Sequence, residues 1–137
     1  MFDRRLRILI INELEKIEVS LRTQLSLSYA LQENDAFWYT NRKWYGKTDE
    51  NTYLKLLTDI ENDVARSNEE FIKHFQGKYV ESMPPSWMAL EVVSFGTLSR
   101  MYHWLGTKTE KRTIAKFFGI GNEEVFSNWL HAFSNLR

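Results

Sequence analysis

The sequence predicts an all-α protein that folds as a single-domain bundle of about five to six helices. Apolar residues recur with a period near 3.6 over long stretches, and not with the alternation of strands. Two prolines and six glycines leave few breaks between these stretches. At 137 residues and 43% hydrophobic, the chain suits one domain, over residues 1–137, with one core.

The first helix is predicted over residues 3–31. Glu18 and Arg22 can pair on it at i, i+4 spacing, which most often supports a surface helix by roughly a few tenths of a kcal/mol. Both residues are also candidate catalytic residues. The apolar stripe of this helix, expected to face the core, comprises Leu6, Ile10, Leu14, Ile17, Leu21 and Leu25.

A connector with the sequence "FWYTNRKWYGK", residues 37–47, interleaves aromatic and basic side chains. This composition could stack unpaired bases while neutralising backbone charge. A loop that packs its rings beneath the helices would look the same, so both interpretations stay open. The RNA-binding candidates in this connector are Trp38, Tyr39, Arg42, Lys43, Trp44 and Lys47.

A second helix is predicted to begin after Thr48 or Asp49, either of which can serve as its N-cap. A capping box at residues 67–70 predicts a third, shorter helix that ends near Gly77. Prolines at 84 and 85 then break the chain. The apolar face of the second helix comprises Tyr53, Leu57, Ile60 and Val64.

The next helix is predicted over residues 86–105, with Gly106 as its C-cap residue. Glu91 falls within its apolar stripe. A carboxylate there needs a cation or a hydrogen-bond donor, so Glu91 is either a core tether or part of a functional polar cluster. The stripe comprises Trp87, Leu90, Ser94, Leu98, Met101 and Leu105.

Two further helices complete the predicted bundle. Thr107 and Glu110 form a capping box for a helix that stops at Gly119, and Asn122 caps the last helix. No stop signal follows that helix, so it either frays at a terminus or belongs to a longer element that has been cut. Its apolar residues are Val125, Trp129, Ala132, Phe133 and Leu136.

Composition argues against several classes of function. Eighteen basic and eighteen acidic residues balance, so charge alone predicts no polyanionic partner. The chain has no cysteine, and His74, His103 and His131 lack the spacing of a helical metal site, so we expect no metal and no cofactor. No apolar run approaches about 18 residues and the N-terminus is too charged for a signal peptide, which favours a cytoplasmic protein without a membrane partner.

Residues 111–130 have the spacing of a helix-turn-helix. Asn128 stands where that motif expects an apolar residue. Asn122, Glu123 and Glu124 fall where a recognition helix would touch bases, and acids at that place repel phosphate. DNA binding is therefore disfavoured. The scattered glycines form no phosphate loop, and no G-x-S-x-G motif is present.

The segments "EKIEVSLRTQ" at 15–24 and "PPSWMALEVVSFGTLS" at 84–99 carry a family resemblance, supported in order by "FIKHFQGKY", "IAKFFGI" and "WLHAFSNLR". Together they resemble the Abi-like family of bacterial abortive-infection proteins, of the AbiD/AbiF type, which act in phage resistance. The resemblance covers essentially the whole chain and implies a helical, HEPN-like fold.

The resemblance implies a relation to the HEPN superfamily of RNA-targeting proteins, in which an Arg, a short polar spacer and a His form a ribonuclease motif, usually at a dimer interface. Arg137 matches that Arg, and the His would lie beyond it. The resemblance also implies additional residues before the segment "FDRRLR", so the chain looks like a central block shortened at both ends. Arginine can stabilise phosphate charge but cannot carry the proton. We therefore expect this protein to target RNA. We expect complete relatives to cleave RNA without a metal ion, and we expect no cleavage by this chain.

A hypothesis from another class is a non-enzymatic helical module that binds RNA or a phage or host protein acting as a trigger. A homodimer is also compatible with the sequence, since Trp129 and Phe133 are expected to be partly uncovered. The sequence leaves open whether an antitoxin restrains the protein.

Overall fold

The structure, a computed structural model, describes residues 2–33, 35–46, 48–67, 73 and 83–136. These residues form α-helices and two short 3-10 helices, Trp38–Thr40 and Arg42–Tyr45, and contain no strand, which confirms the predicted fold class. The helix predicted at 67–77 falls almost wholly outside the described residues. The α-helices are α1 (Phe2–Glu33), α2 (Glu50–Ala65), α3 (Ser86–Val92), α4 (Phe95–Trp104), α5 (Lys108–Phe117) and α6 (Glu123–Leu136).

Burial in α1 begins only at Leu14. Leu21 and Leu25 are fully buried, whereas Leu6 and Ile10 are 44% and 43% exposed. The prediction that the whole stripe faces the core was therefore wrong for the first three turns. Helical spacing shows that residues share a face, but it does not show that another helix covers that face.

The helix predicted over residues 86–105 is two helices in the structure. Val93 is extended, with ψ of 149°, and the Ser94 hydroxyl caps α4 by accepting a hydrogen bond from the Thr97 amide at 3.1 Å. Asp63 of α2 accepts from the Ser94 amide at 3.1 Å and from the Thr97 hydroxyl at 2.9 Å. These bonds satisfy the polar groups that the break exposes, so tertiary contacts divide the stripe.

Helix N-caps follow the predictions in two cases and depart from them in one. Asp49 accepts a backbone N–H at 2.8 Å, and Asn122 accepts two, at 2.8 and 3.1 Å, which confirms both N-caps. Thr107 precedes α5 but makes no side-chain cap. Its hydroxyl lies 2.6 Å from the hydroxyl of Tyr29 instead, so a bond to α1 replaces the predicted capping box.

The aromatic connector lies in the core. Trp38 stacks on Tyr29 of α1 with ring centroids 4.5 Å apart. Next to this stack the backbones of Gly46 and Gly106 approach so closely that a Cβ on Gly106 would lie 2.8 Å from the Gly46 Cα. The connector therefore supports the C-terminal end of α4. The four rings that are at most 6% exposed are Trp38, Tyr39, Trp44 and Tyr45.

Helix α6 packs against α4 and α5. Phe126 and Leu130 are buried, and the Phe126 ring meets Tyr102 edge-on with centroids 5.1 Å apart. Val125 and Trp129 are 43% and 52% exposed, which confirms that Trp129 is uncovered. Among the described residues, no helix is both long and apolar enough to cross a membrane.

Candidate functional site

A cleft of about 380 Å³, lined mostly by polar residues, lies between α4 and α6. Residues three or four apart on a helix share a face, and the residues that line the cleft have this spacing on each helix. Each helix therefore presents one row of mostly polar side chains to the cleft. The cleft is lined by Ser99, Arg100, His103 and Trp104 from α4 and by Ser127, Asn128 and His131 from α6.

His103 is held in place from two directions. Its Nδ1 lies 2.9 Å from the hydroxyl of Ser127, and its backbone carbonyl accepts a hydrogen bond from the Lys111 ammonium at 3.1 Å. Burial lowers the pKa of His103, and the charges of Lys111 and His131 lower it further. The imidazole is therefore neutral at neutral pH, with Nε2 as the nitrogen that remains for a ligand.

Arg100 provides a fixed cation at the cleft. Its Nη1 donates to Asp59 of α2 at 2.5 Å, and its Nη2 donates to the Thr97 hydroxyl at 3.3 Å. The side chain is nevertheless 41% exposed. A guanidinium has five N–H donors, so this one can hold an anionic ligand while it remains paired.

Metal binding has no geometric support in the part of the chain that the structure describes. Within it, no three His, Asp or Glu side chains come together as a possible metal site. The cleft is instead suited to hydrogen bonding with a polar or anionic ligand, because its groups are a guanidinium, two imidazoles, hydroxyls and an amide.

The structure gives Glu18 and Arg22 a tethering role outside the cleft. They pair at 2.9 Å, and both side chains are only 12% exposed. Arg22 also donates to the carbonyls of Leu90 and Val93, the latter at 2.7 Å, at the C-terminal end of α3. The expectation of a weak surface pair was wrong, because α3 covers the pair and supplies two further acceptors.

Glu91 is exposed, so it is not a core tether, and no polar cluster forms around it among the residues that the structure describes. The prediction depended on one continuous helix over residues 86–105, but α3 ends at Val92, directly after Glu91, and Val93 is extended. Arg137 and Lys47 lie outside the described residues, so their candidate roles stay predictions.

The connector does not form an exposed stacking platform in this structure. The rings of Trp38, Tyr39 and Trp44 are buried, so they have no free face for a base. Arg42 donates to a backbone carbonyl and lies 5.0 Å from the centroid of an aromatic ring, whereas Lys43 is exposed. Of the two interpretations of this connector, packing beneath the helices matches the structure.

Sequence reasoning missed the cleft because its two rows come from helices far apart in the chain. A signal was nevertheless present, since both helices carry the pattern Ser-x-x-x-His: Ser99 with His103, and Ser127 with His131. This i, i+4 spacing places each hydroxyl beside its imidazole. The pattern alone does not show that α4 and α6 are neighbours.

Comparison with known proteins complements this geometry. The family model described as Abi-like protein matches residues 1–137. No curated protein and no solved structure matches the chain at a significant level. Because the family model covers the full sequence, this chain belongs to the Abi-like protein family, which points to a role in abortive infection, a form of phage resistance.

Proposed function

We propose that this protein acts in phage resistance by binding RNA, as a HEPN-like module, and that the cleft between α4 and α6 holds the phosphodiester backbone. The observation that carries the proposal is the presence of Arg100, His103 and His131 in one cleft. A guanidinium forms short, charge-assisted hydrogen bonds with phosphate oxygens, and a neutral imidazole adds one N–H donor.

The size and lining of the cleft favour a single strand over a duplex. A volume of about 380 Å³ suits a nucleotide-sized group. The half-buried ring of Trp104 lies at the cleft and can contact a base, while Ser127 and Asn128 can bond a 2'-hydroxyl. The 2'-hydroxyl is the group by which a protein distinguishes RNA from DNA at a given site.

Cleavage is a separate matter from binding. Arg137 keeps its candidate role through the family resemblance, as a second contact to phosphate. His103 is neutral at neutral pH, which is the state a general base requires, but cleavage also needs a proton donor at the leaving oxygen. We therefore propose binding for residues 1–137, and we expect the same preparations to leave the RNA intact.

Fluorescence anisotropy with a labelled single-stranded RNA tests the proposal. We expect Arg100→Gln and His131→Gln each to weaken binding about tenfold, and Lys55→Gln, an exposed change on α2, to alter it less than twofold. Raising the salt concentration should weaken wild-type binding steeply, and DNA of the same sequence should bind less tightly. Melting temperatures of all variants show whether each one is folded.

Two results would count against this function. Unchanged RNA affinity in both cleft variants would place the binding site elsewhere. Absence of RNA binding by the wild-type chain at low salt would remove RNA as the ligand.

A non-enzymatic protein-interaction module is the second candidate, and exposed apolar side chains favour it. Leu9 on α1 and Trp129 on α6 are 62% and 52% exposed. Binding of a protein partner through such surfaces should persist at high salt, whereas binding of RNA should not.

A further inference from the structure

The N-terminal segment of α1 is an exposed helix with many apolar side chains. All residues from Phe2 to Glu13 are exposed, although this segment is helical throughout. Monomeric proteins rarely leave so many large apolar residues together in water. The exposed apolar residues of this segment are Phe2, Leu6, Ile8, Leu9, Ile10 and Ile11.

Four exposed residues form one stripe along this segment: Arg4, Ile8, Ile11 and Glu15. Their spacing of four, three and four places them within an arc of about 60°. The two isoleucines are 52% and 45% exposed and lie at the centre of the stripe. A cation stands at one end and a carboxylate at the other.

We propose that two copies of this chain associate through this stripe, with their α1 helices antiparallel. A two-fold axis between positions 9 and 10 would place Ile8 against Ile11 of the second copy. The same axis would place Arg4 against Glu15 of the second copy, twice by symmetry. The stripe is thus complementary to itself, as a two-fold interface requires.

The charges of the stripe favour the antiparallel orientation, and they favour a second copy of the chain over a membrane surface. A parallel pair would place Arg4 beside Arg4 and Glu15 beside Glu15, which is unfavourable. An anionic membrane surface would favour a stripe with cations only, so Glu15 argues against that occupant. The core of each copy begins at Leu14, near the C-terminal end of the paired segment. In the antiparallel arrangement the cores of the two copies therefore lie at opposite ends of the paired helices.

Charge reversal tests the association in sedimentation equilibrium. We expect Arg4→Glu and Glu15→Arg each to weaken self-association at least about tenfold, because each places like charges together twice. The double variant R4E/E15R should restore it, because the pairs are re-formed with reversed sign. Circular dichroism should show unchanged helix content in all three, since both positions are exposed.

Disulfide trapping tests the register. The chain has no native cysteine, so any disulfide that forms must join the introduced cysteines. Differently tagged I8C and I11C chains are mixed and oxidised, and the antiparallel pair predicts the mixed disulfide as the main product. A mixture of I8C with L27C is the matched control, because Leu27 is exposed on α1 outside the paired segment and should give little mixed disulfide.

Three results would overturn the proposal. They are a wild-type chain that stays monomeric at every concentration, failure of R4E/E15R to restore association, and dominance of the 8–8 and 11–11 disulfides. In the first of these cases, binding of the monomeric chain to anionic vesicles would assign this helix to a membrane surface.

Discussion

Replacing Arg22 with methionine should destabilise the fold strongly, because this residue joins α1 to α3. The variant keeps the aliphatic bulk but removes the ion pair to Glu18 at 2.9 Å and the bonds to the carbonyls of Leu90 and Val93. Removing one partner of a largely buried pair costs about 3–5 kcal/mol. We take about 3 kcal/mol, since both side chains keep some contact with water.

Urea titration followed by circular dichroism measures this loss in the free energy of unfolding. At roughly 3–5 °C per kcal/mol, the thermal midpoint should also fall by about 10–15 °C. The double variant E18Q/R22M should recover about 1–2 kcal/mol, because a neutral amide at position 18 needs no cation.

Lys16→Met is the matched control for this prediction. Lys16 also pairs with a glutamate on α1, at 3.1 Å, but its side chain is 73% exposed. Its replacement should cost at most about 0.5 kcal/mol. If Arg22→Met cost as little as this control, the argument that α3 depends on Arg22 would be refuted.

Two further predictions concern the connector and the cleft. Gly106→Ala should lower the free energy of unfolding by about 1–3 kcal/mol, because the new Cβ would lie 2.8 Å from the backbone of Gly46. Gly121→Ala is the control and should not lower it, because nothing lies within 4 Å of a Cβ there. Equal urea midpoints for the two variants would contradict the close approach of the two glycines. The pKa of His103 is lower in the folded chain than in the unfolded chain, where it is about 6.5. As the pH falls below about 6.5, the unfolded chain therefore binds a proton more readily than the folded chain, and the free energy of unfolding should decrease. His103→Gln removes this titrating group, so the thermal midpoint should fall less in the variant than in the wild type between pH 7.5 and pH 5. Equal falls of the midpoint in the two proteins would contradict this prediction.

Local features of the fold were predictable because they depend on neighbouring residues. Helix periodicity identified α1 and α2, and short polar side chains identified the N-caps Asp49 and Asn122. The Ser-x-x-x-His pattern of α4 and α6 was also visible in the chain. None of these features required knowledge of which helix packs against which.

The candidate site was not predictable in the same way, since it depends on pairing between distant helices. The sequence cannot show that α4 and α6 bring His103 and His131 to one cleft, or that α3 covers Arg22. It also could not separate a stacking loop from the buried connector, because aromatic rings serve both purposes.

By itself, the sequence determined the helical class, the main helix starts and the family, since periodicity, caps and family-specific segments are all properties of the linear chain. Only the tertiary structure decided the break between α3 and α4 at Val93 and Ser94, the exposed first turns of α1 and the composition of the cleft. The physical reason is that burial and hydrogen-bond partners arise between elements. A stripe of apolar or polar residues acquires its role only when another element covers it, or leaves it open to solvent.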